Sequence, residues 1–334
     1  MKQHNGPRRT FFLGPQSLAL GPRPLALFRE ELTMHPAFSV IFLTTLIGVG
    51  QGLFLALYTG QLYALANLLP AQSSNFYAVG SMVSLALLFA GLIASFFHLG
   101  HPERAWRAAT QWRTSWLSRE VLALPAAMGL IFLYGTVHFF DLTKPLFVIS
   151  GALPVDFSLI IGGLGTFAFF GLFLCTAMIY ASLRFIKAWY SPLTVVNFLF
   201  LGVASGFMLA AAFSAYQGTS LVGFYGTWAV IATLFGLLTR VATLYRNSQF
   251  RCKVDLKSAV GVHHSQLEQK AQGFMGGSFN TREFFHGRSQ GLLNLIRYAF
   301  LLMVFVVPVI LILSLTPWSR KPCRCWPSGS NTSA

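Results

Sequence analysis

The chain has 334 residues, of which 54% are hydrophobic and only 10% are charged, and its mean hydropathy is +0.61. Soluble domains usually carry about 25% charged residues, so this composition excludes a soluble globule and indicates a protein whose surface faces lipid. The formal net charge of +15 does not indicate nucleic-acid binding, because the basic residues lie between apolar segments and form no continuous basic domain.

Residues 1–33 precede the first apolar segment and are rich in proline, glycine and arginine. Arg8 and Arg9 stand before Phe11 as in a twin-arginine signal, but the apolar region that such a signal requires is missing. We therefore expect translation to start at Met34, and we predict that residues 1–33 are a disordered or non-native extension.

Seven long apolar segments follow, and each is close to the roughly 20 residues that a helix needs to cross a bilayer. They lie near residues 37–60, 76–98, 120–140, 157–182, 193–216, 222–244 and 292–315. Backbone groups inside lipid must satisfy their own hydrogen bonds, so these segments are predicted to be α-helices. The predicted fold is an all-α integral membrane protein, a bundle of about seven transmembrane helices over residues 34–315.

Small and polar residues inside these segments predict how the helices pack. Glycines at positions 48, 50 and 52 of the first helix, and Gly202-x-x-x-Gly206 in the fifth, are typical of close helix contacts. Gln51 and Asn197 are predicted to form hydrogen bonds between helices.

The basic residues predict the topology. Of the 24 Lys and Arg residues, 20 lie on one side of the predicted helices and one on the other, with three in the C-terminal tail. The positive-inside rule then puts the N-terminus and the second, fourth and sixth loops in the cytoplasm. Residues 316–334 form a basic tail that seven helices would leave on the outer side, against the rule. An aberrant end that replaces an eighth helix would explain this conflict.

The second loop concentrates tryptophan and arginine at one membrane face. The ordinary explanation is an interfacial belt, in which these side chains anchor helix ends to lipid headgroups. We expect contacts with headgroups or with a partner protein from six of these residues: Arg104, Arg107, Arg113, Arg119, Trp106 and Trp116.

Two ionisable residues flank this loop at the cytoplasmic headgroup level. His98 ends the second predicted helix and Glu120 begins the third. Ionisable residues at that depth are costly unless they are paired or functional. One interpretation is a structural contact, either His98 with Glu120 or Arg119 with Glu120. The other is a proton-handling pair beside a small lipid-soluble substrate such as a quinone, whose two-electron chemistry moves two protons.

The motif around these two residues resembles a known family. The stretch His98-Leu-Gly-x-Pro-x-Arg-Ala-x-Arg-Ala, followed by Arg113-Thr-Ser-Trp-Leu-Ser-Arg-Glu120, is similar to the membrane-anchor subunit of dimethyl sulfoxide reductase, the DmsC family. The stretch Met34-His-Pro-Ala-Phe-Ser-Val-Ile resembles the branch that anchors membrane-bound sulfite-oxidising enzymes. The resemblance extends from Met34 to Leu315, and its most specific part is the second loop.

The resemblance implies a function and a set of partners. Members of the family usually have eight helices and anchor a molybdopterin catalytic subunit and a ferredoxin-like iron–sulfur subunit in the bacterial inner membrane. They bind quinone or quinol, menaquinone or ubiquinone, and exchange electrons with the nearest cluster in anaerobic or sulfur-compound respiration. The family's quinol-site histidine falls on His98, and its acidic partner falls on Glu120.

The sequence predicts that this chain itself carries no haem, iron–sulfur cluster or other metal. Haem b in a membrane anchor needs two histidines at one depth inside the bilayer, and no histidine lies there. His138 ends the third helix on the outer side, opposite to His98. The cysteines form no ligand set; they are Cys175, Cys252, Cys323 and Cys325.

Two other function classes stay open at this point. A solute transporter should show charged or helix-breaking residues at the membrane midplane, and the sequence shows none. A purely structural anchor without a quinone site would be favoured by an inert contact between His98 and Glu120.

Overall fold

A computed structural model of the chain describes residues 38–97, 99, 101–149, 153–184, 186–249 and 289–315. All of these residues belong to one compact unit. The predictions for residues 1–33, for the tail at 316–334 and for His98 concern positions outside the described residues.

Among the described residues, seven helices are long and apolar enough to cross a membrane, as the hydropathy pattern predicts. The first six are α1 (Phe38–Leu65), α2 (Ser74–Phe96), α3 (Trp116–Phe139), α4 (Phe157–Ala181), α5 (Pro192–Tyr216) and α6 (Val222–Ser248). The seventh span, Gly291–Ser314, is built from α7 (Gln290–Leu301), π-helical residues Leu302–Val306 and α8 (Val307–Leu315). The predicted bundle of about seven transmembrane helices is confirmed.

The π-helical residues of the seventh span end at Val306, two residues before Pro308. Proline has no backbone N–H, so Pro308 cannot donate to the carbonyl of Val304 as an α-helix requires. A wider turn at this point lets the chain continue as a helix on both sides of the proline.

Short polar side chains set where five of the helices begin. Ser73, Ser115, Asp156, Ser191 and Ser289 each accept a hydrogen bond from a backbone N–H in the first turn of the helix that follows. These caps satisfy N–H groups that have no partner within the helix itself. Because Ser115 caps α3, this helix begins at Trp116, four residues before the predicted start.

The central helix of the bundle is α1, which packs against α2, α4 and α5. Half of its most apolar stretch is buried inside the protein, compared with 6% for the seventh span, which therefore lies mostly exposed on the surface of the bundle. A side chain on Gly52 would collide with the backbone of Gly202, and one on Gly206 would collide with the backbone of Gly52. Glycines were predicted to mark close helix contacts, and the structure shows that those of the first and fifth helices meet each other.

Of the two predicted interhelical hydrogen-bonding residues, only Asn197 behaves as expected. Its side-chain N–H donates to Thr243 Oγ1 at 2.8 Å, and Thr239 Oγ1 donates to its Oδ1 at 2.9 Å, which joins α5 to α6. Gln51 is buried, but its side-chain oxygen has no hydrogen-bond partner in the described ranges. The prediction is therefore wrong for that oxygen, because no described group offers it a donor.

Two connections contain structure that the hydropathy pattern did not predict. A 3₁₀ helix over Pro102–Ala109 lies between α2 and α3. Between α3 and α4, β1 (Phe147–Ile149) pairs antiparallel with β2 (Leu153–Val155), and Phe147 lies opposite Val155.

Successive transmembrane helices run antiparallel, so their termini gather at two ends of the bundle. We name one the basic end; there Glu120, near the start of α3, contacts Thr176, near the end of α4. We name the other the tyrosine end; there Tyr134, near the end of α3, contacts Gln61, near the end of α1. Glu120, one of the two residues of the site predicted from sequence, lies at the basic end.

Candidate functional site

Glu120 is a buried carboxyl at the basic end. It is the fifth residue of α3, one turn inside the helix and not at its first residue as predicted, and only 8% of it is exposed. The hydroxyl of Thr176 on α4 donates a hydrogen bond to its Oε1 at 2.5 Å. The extensive packing of α3 against α4 holds the two side chains together.

The neighbouring Arg119 does not pair with Glu120. Its Nε donates to the carbonyl of Trp112 at 2.9 Å, and a terminal nitrogen donates to the carbonyl of Arg113 at 2.8 Å. Its guanidinium lies 4.2 Å from the centre of the Trp116 ring. These contacts hold Arg119 on the connection between α2 and α3. The structure does not support the alternative interpretation in which Arg119 makes a structural contact with Glu120.

No other cation compensates Glu120 within the part of the chain that the structure describes. The ion pairs found there both involve Glu103, which contacts His101 at 3.0 Å and Arg104 at 3.8 Å. A charged side chain inside a transmembrane segment costs roughly 3 kcal/mol unless it is paired, and such residues mark ligand or proton sites. A lone glutamate with one hydroxyl partner therefore identifies the basic end as a candidate site.

Two residues of α4 that were not predicted from the sequence extend this site. Thr176 and Tyr180 are four residues apart, so they lie on one face of the helix. The Tyr180 ring packs against Trp189 at 5.3 Å and against Phe198 at 5.5 Å between ring centres. The signal in the sequence that could have identified Thr176 is a threonine within an apolar stretch of α4. Hydropathy alone does not distinguish such a stretch from that of an ordinary membrane helix.

The basic connection above the site arranges its arginines over its tryptophans. Arg107 lies 5.6 Å from the Trp106 ring and Arg113 lies 5.3 Å from the Trp112 ring, as Arg119 does with Trp116. Trp106 is 66% exposed. Stacked Arg–Trp pairs on an exposed segment fit the predicted interfacial belt. The predicted contacts with a partner, including those of Arg104, stay predictions.

An apolar groove opens at the same end, between the start of α1 and the end of α2. Its volume is about 360 Å³, and its walls include Phe42, Leu46, Ile93 and Phe97. Phe97 is the residue before His98 in the sequence. His98 lies outside the described residues, so its predicted pairing with Glu120 stays a prediction.

Metal binding has no candidate within the described ranges. No three histidine, cysteine, aspartate or glutamate side chains converge there as a ligand set. His138 is buried near the end of α3, where its ring packs against Tyr77 and Tyr134.

Comparison with known proteins gives two matches along most of the chain. The family model described as DMSO reductase anchor subunit (DmsC) matches residues 33–316, which include all seven helices. The chain is also similar to the C subunit of the sulfite dehydrogenase of Allochromatium vinosum. The two are 65% identical over 279 residues, which are 84% of this chain and 86% of that relative. No solved structure matches the chain.

Proposed function

The chain belongs to the DMSO reductase anchor subunit (DmsC) family, and from this premise we propose that it anchors a molybdopterin oxidoreductase complex and interacts with quinone. In this proposal it passes electrons between the quinone pool of a bacterial inner membrane and a ferredoxin-like iron–sulfur subunit, which contacts the molybdopterin subunit. The basic end faces the cytoplasm, as does the N-terminus, and the partner subunits dock there.

The similar protein from Allochromatium vinosum is named as a subunit of a sulfite dehydrogenase, which supports sulfite as the substrate of the catalytic partner. Oxidation of one sulfite with one water gives sulfate, two electrons and two protons. Reduction of one quinone to quinol takes up two electrons and two protons. The anchor therefore has to supply protons at the place where the quinone is held.

Glu120 is the observation that carries this proposal. It is a buried carboxyl at a membrane face, it has one hydroxyl partner in Thr176, and no described cation neutralises it. A group placed in this way can hold a proton for delivery to a bound oxygen atom, which is the role of a general acid. In our proposal Glu120 orients the quinone site or relays protons from the cytoplasm, and Thr176 fixes its position.

The groove between α1 and α2 suits the apolar part of a quinone. Ligand pockets usually measure about 300–1,000 Å³ and are lined mainly by apolar side chains, with few polar groups. This groove has a similar volume, and it reaches Phe97, next to His98 in the sequence. We propose that a quinone lies along the groove and that His98 hydrogen-bonds one of its oxygens and passes it a proton. The electron transfer itself belongs to the quinone and the partner's cluster.

Two assays on the same membranes test this function. One measures sulfite oxidation linked to quinone, and the other measures sulfite oxidation with a soluble artificial acceptor that bypasses the anchor. In His98→Gln, we expect the complex to assemble, the artificial-acceptor activity to stay near normal, and quinone-linked turnover to fall about 10²-fold. Full quinone-linked turnover would contradict the assignment of His98. Loss of assembly would favour the purely structural anchor.

A further inference from the structure

A second group of buried polar side chains lies at the tyrosine end, opposite to Glu120, and the proposed function does not use it. At its centre is His138, of which only 3% is exposed. Its ring lies between two tyrosine rings, 4.9 Å from Tyr77 on α2 and 4.6 Å from Tyr134 on α3, measured between ring centres. Neither ring nitrogen of His138 has a hydrogen-bond partner among the described residues.

A hydrogen-bonded series fixes one wall of this region. The Tyr134 hydroxyl donates to Gln61 Oε1 at 2.6 Å, Gln61 Nε2 donates to Ser158 Oγ at 2.6 Å, and the Ser158 hydroxyl donates to Asp156 Oδ1 at 2.8 Å. Every donor points toward Asp156, which also caps α4. The Tyr134 proton is thereby directed away from His138. Since an amide side chain does not pass protons on readily, the series holds Tyr134 in place and is not itself a proton route.

Two further hydroxyls at this end are buried without a partner in the described part of the chain. They are Tyr225 Oη, near the start of α6, and Ser214 Oγ, near the end of α5, and both residues are 0% exposed. The Tyr225 hydroxyl lies against Gly60 of α1, where any side chain would collide with it. Tyr225 and Ser214 both lie at the same end of the bundle as His138, because α3 and α5 end there and α6 begins there.

Buried polar atoms that lack a partner are rare in native proteins, and internal water commonly satisfies them. A neutral imidazole has one N–H donor and one bare nitrogen acceptor, so His138 needs two partners. The tyrosine end collects four such atoms from α3, α5 and α6: His138 Nδ1 and Nε2, Ser214 Oγ and Tyr225 Oη. All four atoms lie at the tyrosine end of the bundle, so internal water bound at that end would satisfy them.

We propose that the tyrosine end binds internal water around His138, and that His138 exchanges protons through this water with the aqueous phase at that end. In one exchange, a ring nitrogen gives its proton to a water oxygen while the other nitrogen accepts a proton from a second water. The imidazole stays neutral and changes tautomer, so protons balance. The charged groups that act on His138 are Asp141, in the loop after α3, and Asp156, at the start of α4. The site goes beyond the proposed function, since no quinone takes part.

Solid-state NMR of the ¹⁵N-labelled complex in liposomes tests the water contact directly. The ring signal of His138 is identified by its loss in His138→Gln. We expect this signal to receive magnetisation from water. We also expect the His138 ring N–H to exchange for deuterium on transfer to D₂O, as is expected of the exposed His101. Backbone amides of the buried α1 core are expected to exchange far more slowly. A His138 N–H without water contact, exchanging as slowly as those amides, would overturn the proposal.

The sign of a stability change gives an independent test. If water satisfies the Tyr225 hydroxyl, Tyr225→Phe removes an existing hydrogen bond, and the thermal unfolding midpoint of the complex falls. Ser214→Ala should lower the midpoint for the same reason. If the site is dry, the same change removes an unsatisfied buried group, and the midpoint rises. Tyr216→Phe is the matched control, because Tyr216 is 87% exposed at the same end. A midpoint for Tyr225→Phe at or above that of the control would contradict the proposal. Neither measurement involves quinone, so failure here leaves the proposed function untouched.

Discussion

Glu120 and Tyr134 are both buried polar residues of α3, roughly 20 Å apart at 1.5 Å per residue. Glu120 accepts one hydrogen bond, from Thr176, whereas Tyr134 begins a series that continues through Gln61 and ends at a carboxylate. A carboxyl with one partner keeps acceptor positions for an outside group, whereas the one proton of the Tyr134 hydroxyl is already donated within the series. The difference indicates that the basic end is built to receive a ligand and that this wall of the tyrosine end is built as a scaffold.

The charged residues around the two ends also differ: arginines dominate at the basic end, and acidic residues outnumber basic ones in the connection between α3 and α4 at the tyrosine end. The connection above Glu120 carries arginines stacked on exposed tryptophans, as with Arg107 on Trp106. The connection between α3 and α4 at the tyrosine end contains one basic residue, Lys144, and two acidic residues, Asp141 and Asp156. Among the described residues, only those at the basic end combine a buried carboxyl with an exposed basic surface that suits headgroups or partner subunits.

The largest effect on stability is expected from breaking the series at the tyrosine end. Gln61→Leu leaves the buried Tyr134 hydroxyl without its acceptor, so the free energy of unfolding should fall by about 1–3 kcal/mol. The change is detected as a lower thermal unfolding midpoint of the purified complex. Gln217→Leu is the control, since Gln217 is exposed at the same end. Equal midpoints for the two variants would show that the series contributes no stability.

A smaller effect, on activity, is expected at the basic end from Thr176→Val. The substitution keeps the shape of the side chain but removes the hydrogen bond that orients Glu120. Quinone-linked turnover should fall about tenfold, which corresponds to one hydrogen bond of about 1.4 kcal/mol. Thr166→Val on the same helix is the control, because the Thr166 hydroxyl donates to the carbonyl of Gly162 within α4 itself. Unchanged turnover in Thr176→Val would mean that Glu120 needs no orienting partner.

The smallest effect is expected on the exposed connection at the basic end. Arg119→Lys keeps the charge but loses the planar group that bonds two carbonyls and stacks on Trp116. We expect the free energy of unfolding to fall by about 0.5–1 kcal/mol, the usual scale of an exposed cation–π contact. Arg107→Lys should lower the free energy of unfolding by less, because its partner Trp106 is more exposed. The prediction fails if the two midpoints shift equally.

The helices were predictable from sequence because each one is a long apolar segment, and lipid leaves the backbone of such a segment no alternative. Their limits were less predictable, since they depend on single capping side chains. Ser115 starts α3 one turn earlier than hydropathy alone indicates, and this shift puts Glu120 inside the helix. The pairing of residues 147–149 with 153–155 was missed because three-residue strands leave little periodicity to read.

The sequence also directed attention to Glu120, because a carboxyl next to an apolar segment is conspicuous. It did not reveal Thr176 as the partner, since that contact exists only through the packing of α3 on α4. It missed the Gln61, Ser158 and Tyr134 series for a similar reason. Uncharged polar residues scattered over three helices look unremarkable until the helices bring them together.

The central claim is that Glu120 serves the quinone reaction and not the fold. The most direct measurement compares Glu120→Gln with Glu103→Gln, a change to an exposed carboxyl on the adjoining connection. Quinone-linked turnover and thermal unfolding are measured on the same complexes. The account predicts that Glu120→Gln lowers quinone-linked turnover about 10²-fold while assembly, unfolding midpoint and artificial-acceptor activity stay close to those of Glu103→Gln. Full quinone-linked turnover in Glu120→Gln, or a loss explained by a destabilised complex, would contradict it.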